Sequence, residues 1–488
     1  MSHVPAIRIR PVNEAPVRQS GGYVLYWMMA YRRPSWNYSL DRALEWAGEL
    51  GRPLLVFEAL RSGYRWASDR FHRFVIDGME DNRRAFEKSP IAYYPYLEPD
   101  TGAGKGLLSK LAHKAAVVIT DDYPCFFLPH AVEAAADQID IRLEAVDSNG
   151  MLPLRVADRV FPTAYAFRRF LQKRLPEHLV ESPRARPLAH LDIPKMRSAP
   201  RGITQQWPSA VGYLDTDKSL VHLPIDHGVY PVGYRGGSAE GKKVLRRFLA
   251  RLSSYDELRN HPDEEATSRL SPYLHFGHVS VHEVFAALAR QESWSSRNLK
   301  QAATGSRSGW WGLGPSAEGF LDELVTWREV GFNMAWQRDD FETFESLPEW
   351  AKATLVQHAG DPRPHLYTLE EFETGRTHDS LWNAAQMELV REGRIHNYLR
   401  MLWGKKILEW SRSPQEALEV MLELNNKYAM DGRDPNSASG IFWVLGRYDR
   451  AWGPERPIFG KVRYMSSQNT ARKVRLKKYL ERYAPEEV

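Results

Sequence analysis

WNAAQMELVREGRIHNYLRMLWGKKILEW, residues 382–410, reads as two helical runs, 381–390 and 395–411, in which apolar residues recur three and four apart. Trp403 and Trp410 stand seven apart, two turns of one helix, or roughly 10 Å along its axis. By periodicity alone the pair is an apolar core stripe. Outward from this segment the same pattern continues through 241–253, 281–290, 320–334 and 414–427, so the chain after Gly236 reads as an all-helical domain.

The first third reads differently. Short apolar runs at 23–27, 54–57, 91–94, 116–120 and 142–146 alternate with helical patterns at 40–50, 68–86, 106–113 and 129–138. Such βα alternation predicts a doubly wound parallel sheet, which binds ligands at the carboxyl ends of its strands. No glycine fingerprint for a nucleotide accompanies it, and GAGKG at 102–106 lacks the spacing of a phosphate loop and reads as a turn. Regular patterning fades from about 152 to 233, where SPRARP and MRSAPRG suggest a surface connector. The expected organisation is an α/β domain over 1–160, a connector over 161–233 and a helical domain over 234–488.

Composition narrows the function class. With 43% hydrophobic and 26% charged residues the chain has an ordinary globular composition. It shows no apolar run of membrane-spanning length and no secretory leader pattern in its first residues, so the expected location is the cytoplasm, with the nucleoid, or a nucleus. The single Cys125 permits no internal disulfide and no cysteine metal cluster. The net charge of +5 is unevenly placed: residues 447–482 hold eleven Lys or Arg against three acids, a local excess that suits a phosphate backbone. A basic C-terminal helix over 470–483 also reads as a solvated face. Sixteen Trp, most of them after residue 300, suit either a large core or a base-stacking surface.

TSRLSPYLHFGHVSV, residues 267–281, combines hydroxyls at Thr267, Ser268 and Ser271 with Pro272, Gly277 and a capping-box signature at Ser280 and Glu283. A helix start beside a hydroxyl-rich turn favours an anion such as a pyrophosphate, although a well-capped helix explains the same residues. This segment resembles the flavin-binding element of the photolyase/cryptochrome family. The stretches 382–410, NNKYAMDGRDPNSASGIFW at 425–443, DRAWGPERPIFGKVRYMS at 449–466 and VVITDDYPCFFLP at 117–129 resemble class II photolyases of that family. The resemblance spans almost the whole chain.

It implies FAD held noncovalently in the helical domain, with Tyr255, Thr267, Ser268, Leu270, Ser271, Asn397, Arg400, Asn425 and Asp431 on the cofactor. It implies a cyclobutane pyrimidine dimer in UV-damaged DNA as substrate, flipped from the duplex and split by an electron from excited reduced flavin. Glu323 matches the active-site carboxylate, with Trp327, Met401, Trp443 and Trp452 on the lesion side. Trp382, Trp403 and Trp410 match the tryptophan chain that carries electrons from the surface, and Asn425 matches the residue facing flavin N5. The resemblance also implies that the α/β domain is of the antenna type and often carries a light-harvesting pigment, in class II relatives commonly an 8-hydroxy-deazaflavin. A monomer without a metal or a membrane partner is expected.

HNYLRM at 396–401 carries Asn397 and Met401 where (6-4) photolyases and animal cryptochromes resemble HHxxRH, which argues for the cyclobutane dimer. A flavin photoreceptor of the cryptochrome kind is a competing reading, expected to append a long tail. A non-catalytic nucleic-acid-binding protein is another, but it leaves the hydroxyl-rich turn and Asp431 without a task.

Overall fold

The computed structural model describes residues 3–215 and 218–484. Its six-stranded sheet runs β1 (Ile9–Pro11), β6 (Leu143–Val146), β5 (Ala115–Asp121), β2 (Tyr23–Met28), β3 (Leu54–Leu60), β4 (Ala92–Leu97) across its width. All neighbours are parallel except β1 against β6. β2 and β5 are buried along their whole length, which is why they read as unbroken apolar runs. Alternate side chains feed two cores: Leu25, Leu55, Phe57 and Val118 on one face, Val24, Tyr26, Val56 and Ile119 on the other. The doubly wound sheet expected from the alternation is therefore present. The short β1 strand, ending in Pro11, gave no period to detect.

The chain forms two compact units. The sheet unit comprises Met1–Val156, Leu175–Arg246 and Leu270–Gln291. The second unit comprises Ala157–Arg174, Arg247–Arg269 and Glu292–Val488.

In the sheet unit, strand order reverses around β2, where a nucleotide site is expected. Here the chain itself fills that point. Asp121 at the end of β5 accepts from the N–H groups of Met29, Ala30 and Tyr31 at 2.9, 2.7 and 2.9 Å, and from the Tyr26 hydroxyl at 2.8 Å. Gly277, at φ +70°, passes so close that an added Cβ would lie 1.9 Å from the Ala30 carbonyl oxygen. Gly277→Ala is therefore expected to cost ~3 kcal/mol from clash and backbone strain together. Gly48→Ala, in the open interior of helix Tyr38–Leu50, should instead gain about 0.5–1 kcal/mol. Urea unfolding of the two variants beside the parent checks both signs.

The helix expected after Ser280 runs Val281–Gln291, and Ser280 Oγ accepts from the His282 N–H at 3.1 Å. Thr267, Ser268 and Ser271 of the hydroxyl-rich turn before it are half-buried. Ser280 and His282 are buried, and Glu283 faces Lys242 at 3.5 Å. The connector stretch also holds a helix, Ala164–Arg174, and the expected basic helix over 470–483 is two short ones, Ser467–Lys473 and Lys477–Tyr483. Among the described residues, no helix is long and apolar enough to cross a membrane, and no group of three His, Cys, Asp or Glu is placed to hold a metal ion.

Candidate active site

The second unit gathers most of the residues singled out by sequence. Arg400 projects from helix Asn397–Trp410 and pairs with Asp431 at 3.1 Å. Asp431 lies on the loop after helix Pro414–Tyr428, pinned where the Met430 N–H donates to the Gly393 carbonyl at 2.8 Å. Asn425, buried near the end of that helix, donates to Ser437 Oγ at 3.0 Å, and Arg400 Nη1 approaches the same hydroxyl at 3.5 Å. Ser437 thus joins two groups that sequence reading left separate. Nothing in its local pattern distinguished this serine from any other small residue of helix Pro435–Val444. Asn397 is exposed in the first turn of its helix, and Met401 is half-buried.

A second cluster surrounds Glu323. The expected helix over 320–334 is interrupted: Pro315–Leu321 and Arg328–Gln337 are α-helical, but Asp322–Trp327 winds as a π-helix. Such turns recur at functional sites because they re-aim side chains. Arg168 holds this one by gripping both oxygens of Asp322 at 2.7 and 2.9 Å. Glu323 and Trp327 are half-buried, whereas the residues between them are buried. Glu323 accepts from Arg259 Nη1 at 3.0 Å, and Arg259 also lies over the Tyr255 ring at 5.4 Å. Burial raises the Glu323 pKa, and Arg259 works against that rise. Tyr255 is pushed up to about 12, first by burial and then by Glu323. Arg259 was missed by sequence, although its spacing of four from Tyr255 on a helical turn was a usable signal.

Trp327 and Trp443 stack with ring centres 4.7 Å apart and planes inclined by 26°. Trp452 is flanked by Arg450 and Arg463, at 4.7 and 4.4 Å from its ring, and its indole N–H donates to Asp449 at 3.1 Å. That combination of ring and cations suits bases and phosphates. Not all of the basic C-terminal segment is free for such a partner: Arg475 pairs with Glu264, and Arg482 with Glu265 and Glu392.

Trp382, Trp403 and Trp410 are all buried. Trp382 Nε1 donates to the Trp403 carbonyl at 2.9 Å, Trp403 Nε1 donates to Gln386 Oε1 at 2.9 Å, and the Trp382 and Trp410 rings lie 5.8 Å apart. The expectation that this series begins at the surface needs correction. Trp410 is only 1% exposed, because other side chains cover it. Thr267 and Ser268 belong to the second unit, while Leu270 and Ser271 belong to the sheet unit, where Ser271 opens the five-residue helix Ser271–His275.

The chain is 35% identical over 481 residues to a deoxyribodipyrimidine photo-lyase of Methanothermobacter thermautotrophicus, covering 98% of each chain. It is 33% identical over 475 residues to one of Potorous tridactylus, covering 96% of this chain and 82% of that protein. The chain belongs to the deoxyribodipyrimidine photo-lyase family. No family model matches it. Two solved structures share the photo-lyase fold with it: a class III photolyase of Agrobacterium tumefaciens and a cryptochrome of Synechocystis. The first has TM-score 0.64 and 16% identity over 95% of this chain and 86% of that one. The second has TM-score 0.66 and 15% identity over 95% and 89%.

Proposed function

We propose that this photo-lyase family member is a light-driven DNA repair enzyme of the class II type that splits cyclobutane pyrimidine dimers. One observation carries the reading. Helix Pro435–Val444 carries Ser437 in the Arg400–Asn425 network and, six residues on, Trp443 stacked on Trp327. A helix advances roughly 9 Å over six residues, so one rigid element spaces a polar network from an aromatic platform. Class II membership rests on the motifs at 382–410, 425–443 and 449–466.

The residues present fit a flavin. Arg400, Asn397 and Asn425 offer a cation and two amides that both donate and accept, as the polar edge of an isoalloxazine ring requires. Both ring nitrogens of His396, next to Asn397, are buried without a hydrogen-bond partner among the described residues. Tyr255, Thr267 and Ser268 complete the proposed FAD contacts of the second unit. Bound in its reduced form, FAD supplies one electron to the dimer when it absorbs light. Asp431 fixes the direction of the Arg400 guanidinium, and Ser437 orients the Asn425 amide. Trp327, Trp443 and Met401 receive the flipped dimer, Glu323 bonds its carbonyl groups, and Trp452 with its two arginines supports the opened duplex.

The choice of dimer follows from protonation. The (6-4) photolyases carry, by resemblance, a pair of pocket histidines at the positions of Asn397 and Met401 that serve the proton transfer their lesion needs. Asn397 and Met401 are not acids, and His396 is pushed down to about 4 by burial and by Arg394, so it is neutral at physiological pH. An antenna pigment, a deazaflavin by resemblance, is proposed for the sheet unit. Tyr64, Phe126 and Phe127 cluster beyond the ends of β3 and β5, with Arg61 over Phe127 at 5.3 Å. Light-dependent conversion of a thymine cyclobutane dimer is compared with that of a (6-4) product, each in duplex DNA. Only the cyclobutane dimer is expected to react, and only in blue or near-ultraviolet light. Repair of the (6-4) product alone, or turnover in darkness, overturns the proposal.

A further inference from the structure

Trp410 ends the buried tryptophan series without reaching solvent, so the side chains that cover it decide where an oxidising equivalent can go. Tyr367 packs edge-on against Trp410 at 5.5 Å, and its backbone N–H donates to the Trp410 carbonyl at 3.3 Å. His378 packs against the same indole at 5.0 Å. The Tyr367 hydroxyl and His378 Nδ1 are 2.6 Å apart. The hydroxyl oxygen accepts from the His378 backbone N–H at 3.1 Å, and in the tautomer with Nδ1 unprotonated it donates its own proton to that nitrogen. Beyond them His365 stacks on His378 at 3.9 Å, and both histidines are exposed. A phenol, a base bonded to it and a route to water therefore meet on the outer side of Trp410.

We infer that Tyr367 and His378 form the outer terminus of the tryptophan series, where a radical is stored by coupled loss of an electron and a proton. The inference rests on the reading of Trp382, Trp403 and Trp410 as an electron path. The primary oxidant is light-excited oxidised flavin, which leaves an oxidised Trp410 at the end of the series. Trp410 takes one electron from the Tyr367 ring and is restored. The phenolic O–H bond breaks, its proton passes to His378 Nδ1, and the products are a neutral Tyr367 phenoxyl radical and a His378 imidazolium. An external thiolate later gives one electron to Tyr367 and becomes a thiyl radical, and the phenoxyl recovers its proton from His378.

Electrostatics favours that destination. The Lys406 ammonium lies over the Trp410 ring at 5.3 Å and repels a cation there, an effect its partner Glu409 at 2.7 Å offsets in part. Oxidation of Tyr367 leaves a neutral phenoxyl and carries the positive charge to exposed His378, where solvent screens it. Partial burial and the neighbouring His365 lower the His378 pKa, so its ring is unprotonated and able to accept at neutral pH; Asp379 and Glu409 oppose that shift, and Lys406 adds to it. A proton on His378 is shared outward through His365 with solvent, which delays its return.

The test uses the flavin-loaded full chain, excited by a short flash and followed by transient absorption and by electron paramagnetic resonance. The native protein should show a tryptophan radical that gives way to a neutral tyrosyl radical, more slowly in deuterated water. Tyr367→Phe should lose the tyrosyl signal and leave the tryptophan radical to decay by recombination. His378→Gln should keep Tyr367 but slow its oxidation. A tyrosyl signal that survives in Tyr367→Phe, or a native protein that shows only a tryptophan radical, overturns the Tyr367–His378 terminus and leaves the tryptophan path standing. Absence of any aromatic radical in the native protein, with Trp403→Phe unchanged from it, overturns both.

Discussion

Replacing Trp403 with Phe is expected to slow light-driven reduction of bound oxidised flavin by on the order of a hundredfold, a barrier increase of about 2.7 kcal/mol. Trp403 is 2% exposed, so water cannot stand in for the missing indole. Phenylalanine keeps most of the apolar volume but is far harder to oxidise, which removes the proposed electron step at Trp403. The substitution also leaves Gln386 Oε1 without the indole N–H it accepts from, which costs about 1–3 kcal/mol of stability. A Gln386→Leu variant bounds that cost apart from the electron path, because it removes the same hydrogen bond, with the one Gln386 Nε2 donates to the Glu373 carbonyl at 3.2 Å, and keeps the indole. Repair by chemically prereduced protein should fall far less than photoreduction, since in its proposed role the series only refills the flavin. Equal photoreduction rates in the native protein and Trp403→Phe, measured from flavin absorbance under blue light, would remove the tryptophans from the mechanism.

What the chain's residues disclosed before folding depended on whether burial coincided with apolarity. β2 and β5 are buried and apolar throughout, so their positions were legible almost to the residue. Helix Ala164–Arg174 was not, because its buried face includes Arg168 and Gln172, polar residues that break the apolar stripe while serving Asp322, Gly305 and Ser306. The π-helical turn escaped for a related reason. A period of 3.6 extends smoothly from Phe320 to Met334, and only the tertiary grip of Arg168 on Asp322 reveals why the winding changes. Within the site, Arg400, Asp431 and Asn425 carry distinctive chemistry, whereas Ser437 joins them from an ordinary helical position. Charge was the least legible quantity. Eleven basic residues over 447–482 suggested one nucleic-acid surface, yet Arg475 and Arg482 are committed to acids of the same unit. The pairing partners, Glu264, Glu265 and Glu392, lie too far away in sequence for a local count to include them.

Glu323→Ala is expected to lower the yield of dimer repair by about ten- to a hundredfold, the worth of one hydrogen bond to a charged group at about 1.5–3 kcal/mol. Two influences act on this carboxyl. Burial raises its pKa, which favours the protonated form, while Arg259 at 3.0 Å works against that rise. A dimer lying against Trp327 and Trp443 removes water from around it. In its proposed role a protonated Glu323 donates to a dimer carbonyl, a bond that strengthens as negative charge accumulates on that oxygen after electron transfer. An interaction stronger in the reacting state than in the bound ground state acts on rate more than on affinity. Glu323→Gln, a permanently neutral donor of nearly the same shape, should therefore retain most of the yield that Glu323→Ala loses. Trp443→Ala should show the opposite pattern, with lesion affinity weakened by about 1–3 kcal/mol for the lost stacking. Repair quantum yield and lesion affinity, measured separately on prereduced protein, distinguish the two roles. Equal yields in Glu323→Ala and the native protein at saturating substrate would place Glu323 outside the chemistry and leave it a structural partner of Arg259.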